Sequence, residues 1–178
     1  MLEIIGIVAI VIVIAVAAIL IFAATKPEMF RVHRTASIGA PPERIFPLIN
    51  EFDNWGSWSP YEKRDPAMKR IRSGPPSGKG AVYEWNGNNN VGSGRMEIMD
   101  TSPPSKVVIK LDFFRPFEGH NTAEFTLEPQ GGGTRVTWAM FGPNRFIGKV
   151  MGTFINMDKM IGRDFETGLA NMKTLTEK

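Results

Sequence analysis

The sequence FIGKVMGTFINMDKMIGRDFETGLANMKTLTEK, residues 146–178, decides the fold because it is the only long soluble segment with helical periodicity. Its apolar residues recur at steps of three and four, which places them along one side of a helix. They are Met157, Ile161, Phe165, Leu169, Met172 and Leu175. Gly162 and Gly168 each cost about 1 kcal/mol of helix propensity relative to alanine. We therefore expect another part of the chain to approach the helix backbone at both glycines.

The chain before this helix predicts a sheet, because short segments alternate apolar and polar side chains. We predict strands near residues 30–38, 68–72, 81–85, 95–100, 107–113, 120–128 and 135–140. A short helix is predicted over residues 43–49, and a helical turn holds Trp55 and Trp58 before Pro60 ends it. A sheet of about seven strands must curl, so its concave face can hold one helix. The predicted class is α+β, a curved antiparallel sheet wrapped on a long C-terminal helix.

The composition excludes several classes of function. The 178 residues contain no cysteine, which rules out disulfides, thiolate metal sites and cysteine nucleophiles. The two histidines, His33 and His120, leave little material for a zinc site, and we predict neither a metal nor a cofactor. The formal net charge is +3 and the two signs are interspersed, so no basic block typical of a nucleic-acid surface occurs. We expect no nucleic-acid partner.

Residues 4–24 form an unbroken apolar run. At about 1.5 Å per residue, a helix of this length spans roughly 30 Å, the thickness of a bilayer core. A cleaved signal peptide is one alternative, but its apolar region is shorter and its first residues are basic. A buried core helix is another, and it would need protein on every side. We predict a single-pass transmembrane anchor over residues 1–25, a linker over residues 26–29 and one domain over residues 30–178.

Basic residues lie on one side of the predicted anchor. Lys26, Arg31 and Arg34 follow the apolar run, and no lysine or arginine precedes it. Basic flanks remain on the cytoplasmic side of a membrane. We therefore expect the domain to be cytoplasmic.

Strand parity and the helical stripe gather large apolar side chains between sheet and helix. Methionine and tryptophan are frequent among them, and such side chains line adaptable apolar sites. We predict that a ligand contacts Trp55, Trp58, Tyr83, Trp85, Met96, Ile98, Phe113, Phe125, Trp138, Met140, Phe165 and Leu169. An ordinary packed core is the alternative for most of them. Trp55 and Trp58 form either a lid on the cavity or a cap on the core.

Parity also decides which polar groups can face the cavity. Arg34, Tyr83 and Asn121 fall on the inward side of their strands. The outward positions hold His33, Glu84, Glu97, His120 and Glu124. An acid–base enzyme needs a titratable group beside its substrate, so this distribution disfavours catalysis.

Three segments carry a resemblance to a known family. They are SIGAPPERIF at residues 37–46, DNWGSWSP at residues 53–60 and YEWNG at residues 83–87. Together with the terminal helix they resemble the START-like superfamily, also called SRPBCC, in its polyketide cyclase and lipid-transport branch. The resemblance covers about residues 28–176. It implies a helix-grip fold with a ligand cavity, a fold that serves lipid carriers, hormone receptors and cyclases alike.

We predict a membrane-tethered module that binds an apolar or amphipathic small molecule between the sheet and the C-terminal helix. A lipid, an isoprenoid or a polyketide-like compound fits this description. An interaction or regulatory protein of the same fold is the alternative. A cyclase or aromatase, which the resemblance also implies, ranks below both.

Overall fold

The computed structural model describes residues 1–178, except for the side chain of Leu2. Within that range, five α-helices and seven β-strands follow one another. The helices are α1 (Leu2–Ala24), α2 (Pro42–Asn50), α3 (Trp55–Trp58), α4 (Phe146–Phe154) and α5 (Met157–Thr176). The strands are β1 (Met29–Ile38), β2 (Lys69–Ser73), β3 (Val82–Asn86), β4 (Ser93–Ser102), β5 (Lys106–Arg115), β6 (Gly119–Gln130) and β7 (Gly133–Pro143).

The strands of the described chain form one antiparallel sheet in the order β1-β7-β6-β5-β4-β3-β2. The first strand therefore pairs with the last, from Met29 opposite Pro143 to Ile38 opposite Thr134. A register shift between Ile98 and Asp100 interrupts β4, and such bulges bend a strand and increase its twist. Helix α5 packs against β1 and β7. The predicted α+β architecture, a curved sheet around a C-terminal helix, is confirmed.

The C-terminal segment forms two helices where one was predicted. Ile155 has an extended backbone, which ends α4. The side-chain oxygen of Asn156 then accepts a hydrogen bond of 2.9 Å from the backbone N–H of Lys159 and begins α5. The predicted apolar stripe faces the sheet through Ile161, Phe165, Leu169 and Met172, which are buried. Its two ends, Met157 and Leu175, are exposed.

Both glycines of α5 meet close neighbours, as the sequence predicts. A Cβ atom at Gly162 would lie 1.9 Å from Nη2 of Arg34. A Cβ atom at Gly168 would lie 2.8 Å from Cζ3 of Trp138 and 3.4 Å from Cζ3 of Trp58. Glycine therefore lets the helix approach the sheet at these two points.

Arg34 is the ion-pair partner of α5. Its Nη2 atom lies 2.9 Å from Oδ2 of Asp158, and its Nε atom lies 2.7 Å from Oε1 of Glu166. Hydrogen bonding to Arg34 holds the pKa of Asp158 below its ordinary value. Arg34 thus fastens the first turns of α5 to the edge strand β1.

Helix α1 projects from this assembly. One segment, Glu3–Ala24, is long and apolar enough to cross a membrane. Most of its side chains are exposed, whereas Ala23 in the last turn is fully buried. Helix α1 contacts α4. The division into an anchor, a linker and a domain stays a prediction.

Candidate functional site

A cavity of about 980 Å³ lies between the concave face of the sheet and helices α4 and α5. Its floor is aromatic and sulfur-rich, because inward positions of three strands meet one residue of α3 and one of α5 there. The buried floor residues are Trp55, Tyr83, Trp85, Met96, Trp138, Met140 and Phe165. Strand alternation explains the set, since residues two apart on a strand share a face. The floor can therefore contact an apolar ligand from several sides.

The structure separates the predicted ligand contacts into two groups. Eight of the twelve line the cavity, namely Trp55, Tyr83, Trp85, Met96, Phe113, Trp138, Met140 and Phe165. Trp58, Ile98, Phe125 and Leu169 are buried in the core and do not border the cavity. All four have the inward orientation that the sequence predicts, but they lie farther along the strands and helices.

Ring contacts join the cavity floor to the core. The rings of Trp138 and Phe165 stack with centroids 4.0 Å apart and planes 11° apart. Trp138 also stacks on Phe125 at 5.0 Å, and Trp58 meets it edge-on at 5.4 Å. Stacked and edge-on pairs of this kind add about 0.5–1.5 kcal/mol each beyond their buried area. The floor is therefore a rigid surface.

The two tryptophans of α3 belong to that surface. The indole N–H of Trp55 donates to the carbonyl oxygen of Ile49 at 3.0 Å, and that of Trp58 donates to Leu48 at 2.7 Å. Both hydrogen bonds fix the rings to α2. Trp58 caps the core, whereas Trp55 faces the cavity. Neither residue forms a lid.

One wall of the cavity is polar. The hydroxyl of Tyr83 donates a short hydrogen bond to Oε1 of Glu62, and Nε of Arg70 donates to Oε2 at 2.7 Å. Burial, followed by the hydrogen bond to Glu62, raises the pKa of Tyr83 above its ordinary value. The carboxylate is thus held by two donors, and the tyrosine stays neutral at physiological pH.

A second polar pair stands beside the first. Arg64 forms an ion pair with Asp164 of α5, and its guanidinium lies 5.0 Å from the centroid of the Tyr61 ring. Burial, followed by the nearby charge of Asp164, raises the pKa of Tyr61. These three residues border the same cavity as Glu62. The polar wall is defined as Tyr61, Glu62, Arg64, Tyr83 and Asp164.

Sequence reasoning missed most of this wall. Residues 60–63 form a single 3₁₀ turn, which is too short to show a periodic pattern. Pro60 at its first position is the one local signal, since proline favours the start of a helical turn. Of the predicted inward polar residues, Tyr83 and Asn121 border the cavity, whereas Arg34 does not.

His120 lies at the rim of the cavity, and its ring pairs with a neighbour across the sheet. Its Nδ1 atom lies 2.8 Å from Oδ1 of Asp112, the residue opposite it on β5. Burial raises the pKa of Asp112, but hydrogen bonds from His120 and Lys110 outweigh it and leave the pKa below its ordinary value. Among the residues with described side chains, no cluster of histidines and carboxylates could hold a metal ion.

The mouth of the cavity is apolar and exposed. It is lined by Phe117, Ile147, Phe154, Ile155, Met157 and Met160. Four of these belong to α4, the α4–α5 junction or the hairpin between β5 and β6. Lys26, two residues after α1, borders the same opening. The mouth therefore lies at the end of the domain from which α1 emerges.

Residues 29–177 match the family model described as polyketide cyclase / dehydrase and lipid transport. No match is found among the curated protein sequences.

Solved structures share the fold at low sequence identity. The protein CV1439 from Chromobacterium violaceum is 16% identical, with a TM-score of 0.59 over 86% of this chain and 99% of that one. The ginseng major latex-like protein 151 from Panax ginseng is 10% identical, with a TM-score of 0.60 over 84% and 99%. The di-domain ARO/CYC StfQ from the steffimycin biosynthetic pathway is 10% identical, with a TM-score of 0.62 over 84% and 51%. At these identities the likeness establishes the fold.

Proposed function

Because the chain belongs to the polyketide cyclase / dehydrase and lipid transport family, we propose that it binds an apolar or amphipathic small molecule in the cavity beneath α4 and α5. A lipid, an isoprenoid or a polyketide-like compound has the required chemistry. We further propose that α1 tethers the module to a membrane, with an anchor over residues 1–25, a linker over residues 26–29 and a cytoplasmic domain over residues 30–178.

The cavity itself carries the proposal. Its volume of about 980 Å³ lies at the upper end of the range of about 300–1,000 Å³ typical of small-molecule sites. Each methylene group that leaves water for such a floor contributes about 0.8 kcal/mol. A chain of about ten methylenes therefore gains about 8 kcal/mol, which is comparable with the cost of about 4–15 kcal/mol that association carries. The rigid floor adds to affinity because it needs no rearrangement.

The polar wall supports an amphipathic ligand over a purely apolar one. The hydroxyl oxygen of Tyr83 can accept a hydrogen bond, and Arg64 retains N–H groups beyond those that bind Asp164. A hydroxyl, carbonyl or carboxyl group on the ligand would find partners there. A few polar groups in an apolar site fix the orientation of the ligand.

The hydrogen bonds of Glu62 and the raised pKa of Tyr83 favour ligand binding over proton-transfer catalysis. Arg70 and Tyr83 both donate to Glu62, so each oxygen of this carboxylate already accepts a hydrogen bond within the protein. The raised pKa of Tyr83 makes its hydroxyl a weak acid. A general acid or base works best with a pKa near the operating pH.

Two measurements on the full chain in lipid nanodiscs test the proposal. Native mass spectrometry should show a reproducible small-molecule adduct in protein purified without delipidating detergent. Dansyl-undecanoic acid should then bind saturably, with energy transfer from the tryptophans that border the cavity, Trp55, Trp85 and Trp138. Empty discs measure partition of the probe into lipid. An unliganded mass together with unsaturable probe binding would overturn the proposed function.

A further inference from the structure

The segment between α1 and β1 is held by the domain. The backbone N–H of Asn144 donates to the carbonyl oxygen of Glu28 at 2.7 Å. The side-chain amide of Asn144 donates to the carbonyl oxygen of Pro27 at 3.1 Å. The Glu28 carboxylate lies 2.5 Å from Nζ of Lys149, a buried lysine of α4. The Nζ atom of Lys26 donates to the carbonyl oxygen of Gly152 in α4. These four polar contacts fix the end of α1 to α4 and to the loop before α4.

The contacts between α1 and α4 determine where α4 lies along the axis of α1. Ala23, one residue before the end of α1, is fully buried, and α4 is the helix that contacts α1. Because Lys26, two residues after α1, contacts Gly152 of α4, that helix lies at the level of the last turn of α1. If α1 crosses a bilayer, that level is the boundary between acyl chains and headgroups.

The outer surface of α4 suits that boundary. Its exposed apolar side chains include Phe146 at 52% and Phe154 at 69% of full exposure, and Ile147 lies beside them. Arg145 immediately precedes the helix and Lys26 contacts Gly152 near its end, so two cations flank the apolar surface. Apolar side chains with flanking lysine or arginine are typical of helices that lie in a membrane interface.

We propose that α4 lies in the interface of the bilayer that α1 crosses, so that the cavity mouth opens into lipid instead of water. The inference rests on the proposed tether. It identifies the ligand as an amphiphile that already resides in the bilayer. Such a molecule moves between bilayer and cavity along the apolar mouth, and its chain does not cross water.

Single spin labels test the position of α4 directly. The chain has no native cysteine, so one introduced cysteine gives one label. We would label Phe146→Cys on α4, Ile12→Cys in the middle of α1 and Met99→Cys, an exposed site on β4 near the opposite end of the sheet. The full chain is reconstituted in vesicles of phosphatidylcholine and phosphatidylglycerol. Power saturation then compares collisions with oxygen, which enriches in lipid, and with a water-soluble nickel complex.

The two proposals fail in different ways in this experiment. We expect lipid-like accessibility at residues 12 and 146 and water-like accessibility at residue 99. Water-like accessibility at residue 146 with residue 12 deep in lipid would overturn the interfacial position and leave the tether intact. Water-like accessibility at residue 12 would overturn the tether, and the inference with it. Saturable probe binding tests the cavity independently of both.

The rate at which the cavity takes up a probe from the bilayer provides a second test of the position of α4. Phe146 is exposed on α4 and does not border the cavity. Phe146→Glu should slow the uptake of dansyl-undecanoic acid by proteoliposomes at least threefold, because a carboxylate is expelled from the interface. Its equilibrium affinity should not change. Met99→Glu, at a site of 43% exposure, is the control and should load at the wild-type rate. Equal rates for the two variants would overturn the inference.

Discussion

Gly168 of α5 lies against the indole of Trp138, where a Cβ atom would approach within 2.8 Å of Cζ3. The indole has little room to move, because Phe125 and Phe165 both stack on it and Trp58 meets it edge-on. Gly162 has an equally close neighbour in Arg34, but that neighbour is the far end of a flexible side chain. The two glycines therefore differ in what the helix loses when a methyl group is added.

Gly168→Ala should destabilise the fold, and Gly162→Ala should be nearly neutral. At residue 168, overpacking against fixed rings costs about 1–3 kcal/mol, which matches or exceeds the gain of about 1 kcal/mol in helix propensity. At residue 162, a gain of about 1 kcal/mol in helix propensity offsets weakened ion pairs, each worth about 0–1 kcal/mol. Thermal unfolding of the reconstituted chain by near-UV circular dichroism compares the variants. Equal melting temperatures for the two variants would contradict the inference that the Trp138 ring is held rigidly.

A charge in the cavity should abolish ligand binding. Met140 borders the cavity and is buried, so Met140→Arg places a guanidinium in an apolar site. We expect at least a tenfold, or roughly 1.4 kcal/mol, loss of affinity for the uncharged methyl ester of dansyl-undecanoic acid, because its chain would strip water from the guanidinium and its head cannot pair with it. Met99→Arg puts the same charge on the surface and serves as control. A folded Met140→Arg variant with wild-type affinity would place the ligand elsewhere.

The two tyrosines of the chain should resist ionisation. Burial raises the pKa of Tyr61 and Tyr83 above 10.0, their ordinary value. Because the folded pKa values exceed the unfolded ones, this contribution to stability is complete below about pH 10 and falls as the pH rises further. Absorbance near 295 nm should stay flat through pH 10 and rise only with alkaline unfolding. Tyr61→Phe and Tyr83→Phe assign the residual signal, and half-ionisation of either residue at pH 10 would refute the expectation.

Asp112 should stabilise the fold in a pH-dependent way. Its folded pKa lies below the ordinary 3.8, so its contribution is present above about pH 4 and is lost as the pH falls below that value. At pH 7, Asp112→Asn should cost about 1–3 kcal/mol, because charge-assisted hydrogen bonds from His120 and Lys110 are weakened. The difference from wild type should shrink towards pH 3. Asp53→Asn, at an exposed ion pair with Arg72, is the control and should cost less than about 1 kcal/mol.

The sequence predicted the face of each floor residue but not its position along the cavity. Period-two alternation placed Trp85, Met96 and Trp138 on the concave face, and all three border the cavity. Phe125 has the same parity, yet it lies under α3 and Trp138, where the core is filled. Alternation determines which side of a sheet a residue occupies, whereas the extent of a cavity depends on how helices cover that side.

The polar wall and the helix break depend on contacts that no periodic pattern encodes. Glu62 faces the cavity because a single 3₁₀ turn aims it at Tyr83 and Arg70, two residues on different strands. Asn156 is a recognisable N-cap residue, but the apolar residues on either side of it continue the helical spacing. Local signals of this kind become decisive only when the tertiary partners are known.

The brevity of the connection between α1 and β1 limits how far the domain can travel. Residues 25–28 would span about 14 Å if fully extended, at up to about 3.6 Å per residue, and Asn144 and Lys149 bind Pro27 and Glu28 to the domain. If α1 is anchored in a bilayer as proposed, so short a connection prevents the domain from carrying a bound molecule from one membrane to another. The domain would serve a single bilayer, either by exchanging molecules with that leaflet or by presenting them to partners that diffuse to it.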